Sequence, residues 1–294
     1  KSFTNIKKDL SIKNKNVLFN KSSNICLSNN SNLHIYNSKI KILGTKQNPV
    51  SIRGCSKKSK GSIIIEKSIV DIGYLKISNL KAPKFELRKL FGGINIIDSK
   101  VNAEQITFSN SESEDAFNLI DSSLTMNNLK FANILSDALD MDFSNFKINS
   151  IECDSVGNDC VDVSFSKGNI NYIIGNKIYD KTLSAGEESS LNIKKIIVDD
   201  SEIGIVVKDN SNIKIDFYKY SNLKVPLASY VKKNEFGPPI LNIKNIEGEN
   251  FSKEFISNDS TVSINDTIII GSNNSKIISN KFYGKIYGVK TNRL

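Results

Sequence analysis

The stretch FNLIDSSLTMNNLKF at 117–131 is followed by LDMDFSNFKINSIEC at 139–153 and VDVSFSKGNINYIIG at 161–175. Each copy starts 22 residues after the last, and the same register continues at Leu183, Ile205 and Leu227. Phe117, Leu119, Leu124, Met126, Leu129 and Phe131 of the first copy become Leu139, Met141, Phe146, Ile148, Ile151 and Cys153 in the second. Val161, Val163, Gly168, Ile170, Ile173 and Gly175 follow in the third. Apolar residues two apart belong to short strands that send alternate side chains inward. Between them lie corners such as Asp121-Ser122-Ser123 and Gly157-Asn158-Asp159, residue types that turn the chain by bonding their own backbone. Self-similarity at this period marks a solenoid, and 22 residues with three corners leave no room for a helix. The predicted fold is all-β: a right-handed parallel β-helix of about 22-residue coils, each with three strands of three to five residues, stacked roughly 4.8 Å apart.

The phase extends upstream, where Ile94, Ile96, Val101, Ala103, Ile106 and Phe108 repeat Ile63, Ile65, Val70, Ile72, Leu75 and Ile77 at a spacing of 31. That coil carries an insertion near Leu80 to Gly93, with Pro83, Phe85, Arg88, Lys89 and Phe91. A second insertion, Leu227 to Pro239, holds Tyr230, Lys232, Lys233 and Phe236 before strands resume at Ile240. Each is read either as a groove wall or as a plain surface loop. Residues 1–30 are expected to cap the open end, leaving 31–294 as one β-helix domain. Asn and Ser at the corners are placed to form side-chain ladders.

Composition narrows the function classes. The 294 residues carry 40 Lys+Arg against 31 Asp+Glu, a net charge of +9, with 39% hydrophobic residues. No run of eighteen apolar residues exists, so neither a membrane span nor a disordered chain is expected. The chain opens at Lys1 without an apolar signal core and reads as a mature or excised piece. Lysines are scattered among Asn and Ser instead of forming a stripe with aromatics, so no nucleic-acid partner is expected. Cys26, Cys55, Cys153 and Cys160 show no C-x-x-C spacing, and His34 is the lone histidine, so no zinc site can be assembled. At this length a disulfide framework is unnecessary, and Cys153, in an inward register position, reads as core filler.

Residues 22 apart become neighbours on successive coils, and one such column stands out. Asp115, Asp137, Asp159 and Lys181 share a register two positions before an inward strand start. Asp140 and Asp162 run beside them, each between inward residues, and so face outward; Asp142, Asp180, Glu187, Glu202 and Lys208 lie within a few residues. Like charges stacked about 5 Å apart repel unless a cation, a shared proton or a lysine relieves them. Three readings stay open: Asx-type corner chemistry, Ca²⁺ held by Asp115, Asp137 and Asp159, and acid/base catalysis on a sugar chain.

The strings SDALDMD at 136–142, GNDCV at 157–161, DKTLSAGE at 180–187 and GIVVKD at 204–209 resemble right-handed β-helix repeats of bacterial extracytoplasmic, pectate-lyase-like proteins, some attached to spore-coat CotH-type domains. Residues 30–270 share this resemblance. The same blocks are similar, more faintly, to polygalacturonases, where Asp137 matches the Asp of the first block and Asp159 with Cys160 the end of the second. Asn158 stands where that family has a second Asp, Lys181 falls near its His, and Val206 replaces its Arg while Lys208 keeps its Lys.

The resemblance implies a secreted, periplasmic or cell-surface protein that binds polysaccharide, and the positive net charge favours acidic glycans. Two readings remain: a glycan-active protein, either a polysaccharide lyase or a glycoside hydrolase, and a non-catalytic structural or adhesive solenoid. In the first, Asp137, Asp159, Lys181 and Lys208 are the candidate catalytic residues, and Asp140, Asp162, Glu187, Tyr230 and Lys232 the candidate substrate contacts. No cofactor is required, and Ca²⁺ is the one ion the acidic column could recruit.

Overall fold

The computed structural model describes residues 3–84 and 89–283. Phe85 and Arg88, expected in the first insertion, lie outside the described residues. The fold is an all-β parallel solenoid, in which strands pair in parallel one coil apart until the end, where Thr261–Ile264 also pairs antiparallel with Thr267–Ile269. Contacts divide it into two compact units: the first runs to Asp140 and includes Ser144–Ile148, the second takes Met141–Phe143 and everything from Asn149.

In the first unit the coils present three faces. Asn24–Leu27 pairs with Val50–Gly54, Asn32–Tyr36 with Ser62–Glu66, and Lys39–Ile42 with the start of Ile69–Ser78. Leu33, Ile63, Ile94 and Phe117 form one inward column. The Ile63-to-Ile94 pairing confirms the 31-residue coil. Its insertion sends Leu90 back onto Ile64 and Ile97 on the outside of the coil, so this part of the loop packs as surface cover. Residues 4–19 already pair as strands with the next coil.

In the second unit Val161–Ser164 pairs with Lys181–Gly186, which pairs with the end of Ser190–Lys208, which pairs with Asn212–Tyr230. Val161, Leu183, Ile205 and Leu227 therefore stack as the 22-residue period predicts. The neighbouring face runs at 23, with Ile170 opposite Ile193, because Glu187 and Glu188 form a wider corner. Strands also exceed the expected three to five residues, Ser190–Lys208 and Asn212–Tyr230 reaching 19 each, because pairing continues through the gentler corners. A short helix, Ser275–Phe282, is capped by Asn274 and packs Ile278 and Phe282 with Phe255 on Val206, Ala228 and Tyr230. This second apolar layer covers outward positions of the strands ending at Lys208 and Tyr230. Among the described residues no helix is long and apolar enough to cross a membrane.

Corners are built alike throughout. Asn37, Lys67, Asp98, Asp121, Phe143 and Phe165 have φ between 46° and 52° and each precedes a serine. Those serines form ladders: the Ser68 hydroxyl accepts from the Ser38 amide at 3.0 Å, Ser99 from Ser68 at 2.9 Å, Ser122 from Ser99 at 3.0 Å. The cysteine expectation is corrected. Cys26 pairs with Cys55 and Cys153 with Cys160, so Cys153 is half of a disulfide and not a filler thiol. Spacing hid this because each pair bridges positions that only the coil geometry brings together.

Candidate functional site at an open corner of the second unit

The acidic column splits by environment. In the first unit Asp115 is buried and accepts the Asn118 side-chain amide at 2.7 Å, and half-buried Asp137 donates its backbone N–H to the Glu114 carbonyl at 2.8 Å. In the second unit Asp159 and Lys181 are sealed, 3% and 5% exposed. The Lys181 ammonium donates to Asp180 at 2.5 Å and to Asp159 at 3.2 Å, and the Lys181 backbone N–H donates to the same Asp159 oxygen at 3.1 Å. One ammonium thus faces two carboxylates. Burial pushes the Asp159 carboxyl up to about 7, with Asp180 adding to the rise and Lys181 opposing it. Burial alone would lower the lysine, but Asp159 and Asp180 hold it above its ordinary value, so it stays charged. Lys208 is also buried, its ammonium donating to the Ser184 hydroxyl at 3.0 Å. A sugar chain cannot reach groups so enclosed.

The next outward positions are different. Ser164 pairs in register with Gly186, and Asp162 with Ser184. Gly186 has no side chain to fill its place in this column, and a Cβ there would lie 3.4 Å from Lys208 Cε. Glu187 follows it, is 6% exposed and is clamped: it accepts the Ser164 hydroxyl at 2.5 Å and the Lys233 ammonium at 2.6 Å. Burial would raise the Glu187 carboxyl, but those two bonds hold it below its ordinary value, so it is ionised. Half-buried Asp142 goes the other way, up to about 6, through burial first and then the charges of Asp162 and Glu187. Neighbouring carboxylates whose surroundings drive their proton affinities apart are the arrangement that acid/base chemistry uses.

An aromatic ladder adjoins them. Phe143 and Phe165, at the corner next to Asp142 and Ser164, stack at 4.7 Å with rings nearly parallel, and Phe236 meets Phe165 edge-on at 5.8 Å. Phe143 is 56% exposed. Both stacked residues are left-handed, with φ of 52° and 51°, at a corner position that the first unit fills with Asn, Lys or Asp. A bulky side chain in that region is unfavourable, and such strain is retained where it serves a function. Phe236 and Lys233 are delivered by the 231–239 insertion, anchored where one Asp209 carboxylate oxygen accepts the backbone N–H groups of Lys232 at 2.6 Å and Lys233 at 2.9 Å. The first four residues of the expected 227–239 insertion belong to the strand Asn212–Tyr230, and the remainder brings Lys233 to Glu187 and Phe236 to Phe165.

Of the expected substrate contacts, Asp162 and Glu187 come together here. Asp140 is half-buried and belongs to the first unit. Tyr230 is corrected: it is fully buried, its ring stacked on Phe282 at 5.5 Å. Lys232 points its ammonium at the Tyr283 ring, 4.4 Å from the centroid. Among the described residues no group of three or more His, Cys, Asp or Glu is arranged to hold a metal ion. The column also fits Ca²⁺ poorly at Asp159, whose carboxylate faces an ammonium.

No protein-family model matches the sequence, and no curated protein matches it. Two solved structures are similar in part. The enzymatically active domain of tailspike protein 2 from bacteriophage CBA120 has 14% identity and a TM-score of 0.48, covering 84% of this chain and 43% of its own. The full-length tailspike protein 2 from an Escherichia coli O157:H7 bacteriophage has 10% identity and a TM-score of 0.39, covering 86% and 42%. The chain spans less than half the length of either.

Proposed function

We propose that this chain binds polysaccharide at the open corner and hydrolyses it there, with Asp142 as general acid and Glu187, buried and ionised, as the neighbour whose charge keeps the proton on Asp142. The observation that carries the reading is the meeting of these oppositely shifted carboxylates with the exposed Phe143–Phe165 stack. Rings offer apolar faces to the C–H side of a sugar, and the carboxylates, Ser164 and Lys233 take its hydroxyls. Hydrolysis is favoured over elimination because the lysines needed as a base are engaged, Lys208 with Ser184 and Lys233 with Glu187. Lys181 and Asp159 support the site from below, and no Ca²⁺ is needed. The two disulfides favour an oxidising compartment, consistent with a secreted or surface-exposed protein.

The test is a panel of acidic and neutral polysaccharides, assayed for reducing ends and for ultraviolet-absorbing unsaturated ends. Reducing ends without unsaturation, abolished in Asp142→Asn, support hydrolysis. Unsaturated products would overturn it. Retention on a glycan gel without any release leaves the non-catalytic, adhesive solenoid as the function, and neither release nor retention removes the glycan reading altogether.

A further inference from the structure

A second feature of the same unit lies on the sheet formed by Lys167–Ile178, Ser190–Lys208, Asn212–Tyr230 and Ile240–Ile243. Asn169, Asn192, Lys214 and Asn242 pair across successive strands as one outward column. Asn171, Lys194, Asp216 and Lys244 stand two residues further along each strand. With Ile170, Ile193 and Ile215 beneath, they line a cleft of about 290 Å³. Part of its lining is fixed: the Asn192 amide donates to Asn169 at 3.2 Å, Asn171 to Asn149 at 2.9 Å, and Lys244 to Asp216 at 2.5 Å. Lys194 and Lys214 have no carboxylate partner among the described residues. The cleft therefore combines two uncompensated ammonium groups with a row of amides, whereas the open corner, with Asp142, Asp162 and Glu187, is acidic.

We propose that this cleft binds a stretch of anionic polysaccharide, Lys194 and Lys214 taking its carboxylate or sulfate groups and the Asn side chains its hydroxyls. Coils repeat about every 4.8 Å, close to the length of one sugar unit, so successive rungs can meet successive units of an extended chain. Amide-rich lining suits hydroxyl-rich ligands. Nucleic acid is the less suited polyanion, because no arginine or aromatic ring lines the cleft to stack a base. The proposal is independent of the acid/base reading at the corner, whose charge repels such a chain.

The experiment measures binding of the full chain to polygalacturonate oligomers, dextran sulfate, neutral dextran and a single-stranded oligonucleotide at two salt concentrations. Expected are binding of one or both acidic glycans, none of neutral dextran, weaker binding at higher salt, and a loss of about tenfold or more in Lys194→Gln/Lys214→Gln. Thermal melts establish that this double variant is folded, and Lys76→Gln, which removes an exposed lysine of the first unit, binds like the wild type. Equal affinity in wild type and double variant, or no binding of any acidic glycan, overturns the proposal. So does an oligonucleotide bound as tightly with the same dependence on both lysines, which makes the cleft a general polyanion surface. Self-association that the double variant abolishes would instead assign the cleft to a second copy of this chain.

Discussion

Two sets of carboxylates in the second unit lie close in sequence and have opposite fates. Asp159 and Asp180 are sealed around Lys181, while Asp142 and Asp162 are half-buried beside stacked phenylalanines, with Glu187 buried behind them on Ser164 and Lys233. Both follow from the same repeat. What separates them is cover: the helix Ser275–Phe282 and its apolar layer lie over the strand ends at Lys208 and Tyr230, whereas Asp142, Asp162 and Ser164 stay half-exposed beside the exposed Phe143. Register alone finds titratable groups, and burial decides which of them a ligand can meet.

The largest effect expected from breaking the contrast is on the sealed side. Lys181→Met leaves two buried carboxylates without their cation and should cost about 3–5 kcal/mol in chemical denaturation. Cys153→Ser with Cys160→Ser, which opens the disulfide in the same unit, should cost about 2–5 kcal/mol. A melt unchanged in both would show that the second unit is not held together at these points.

The sign of the pH dependence sharpens the comparison. Asp159 titrates at about 7 when folded and near 3.9 when unfolded, so between those values the folded state holds the extra proton. Its contribution to stability is present below about pH 4 and is lost as pH rises toward 7. Asp159→Asn should flatten that decline. Glu187, with a depressed carboxyl, acts oppositely: its contribution is present above the unfolded value and is lost as pH falls. Stability profiles that coincide for wild type and Asp159→Asn from pH 4 to 7 would contradict the sealed environment.

The smallest effect is at the aromatic corner, where stability and function should part. Phe165→Asn replaces a bulky left-handed residue with one that tolerates φ near 51°, and should be neutral or stabilising by up to about 1 kcal/mol. It should also weaken glycan retention. If retention is unchanged, the ladder is not a sugar surface.

The solenoid was legible because apolar alternation at a 22-residue period is a one-dimensional signal, and Phe117 and Val161 sit where it put them. The shared column of Asp159 and Lys181 was legible for the same reason. Their burial was not, since a period in the strands says nothing of what lies over them, such as the helix Ser275–Phe282, about a hundred positions later, whose C-cap Tyr283 is close enough to act on Lys181. Tyr230 was misplaced through the same cause. Phe143 and Phe165 carried a usable signal: both precede a ladder serine, 22 residues apart, where other coils have polar residues. The roles of Lys233 and Phe236 depend on how the 231–239 insertion folds back, which no period encodes.

Side-by-side assay of Asp142→Asn and Asp159→Asn on whichever glycan the wild type cuts tests the central claim most directly. The account predicts a loss on the order of a hundredfold or more for Asp142→Asn, with near-wild-type turnover for Asp159→Asn once its folding is verified. The reverse pattern, in which Asp159→Asn abolishes turnover and Asp142→Asn keeps it, would contradict the assignment of chemistry to the open corner.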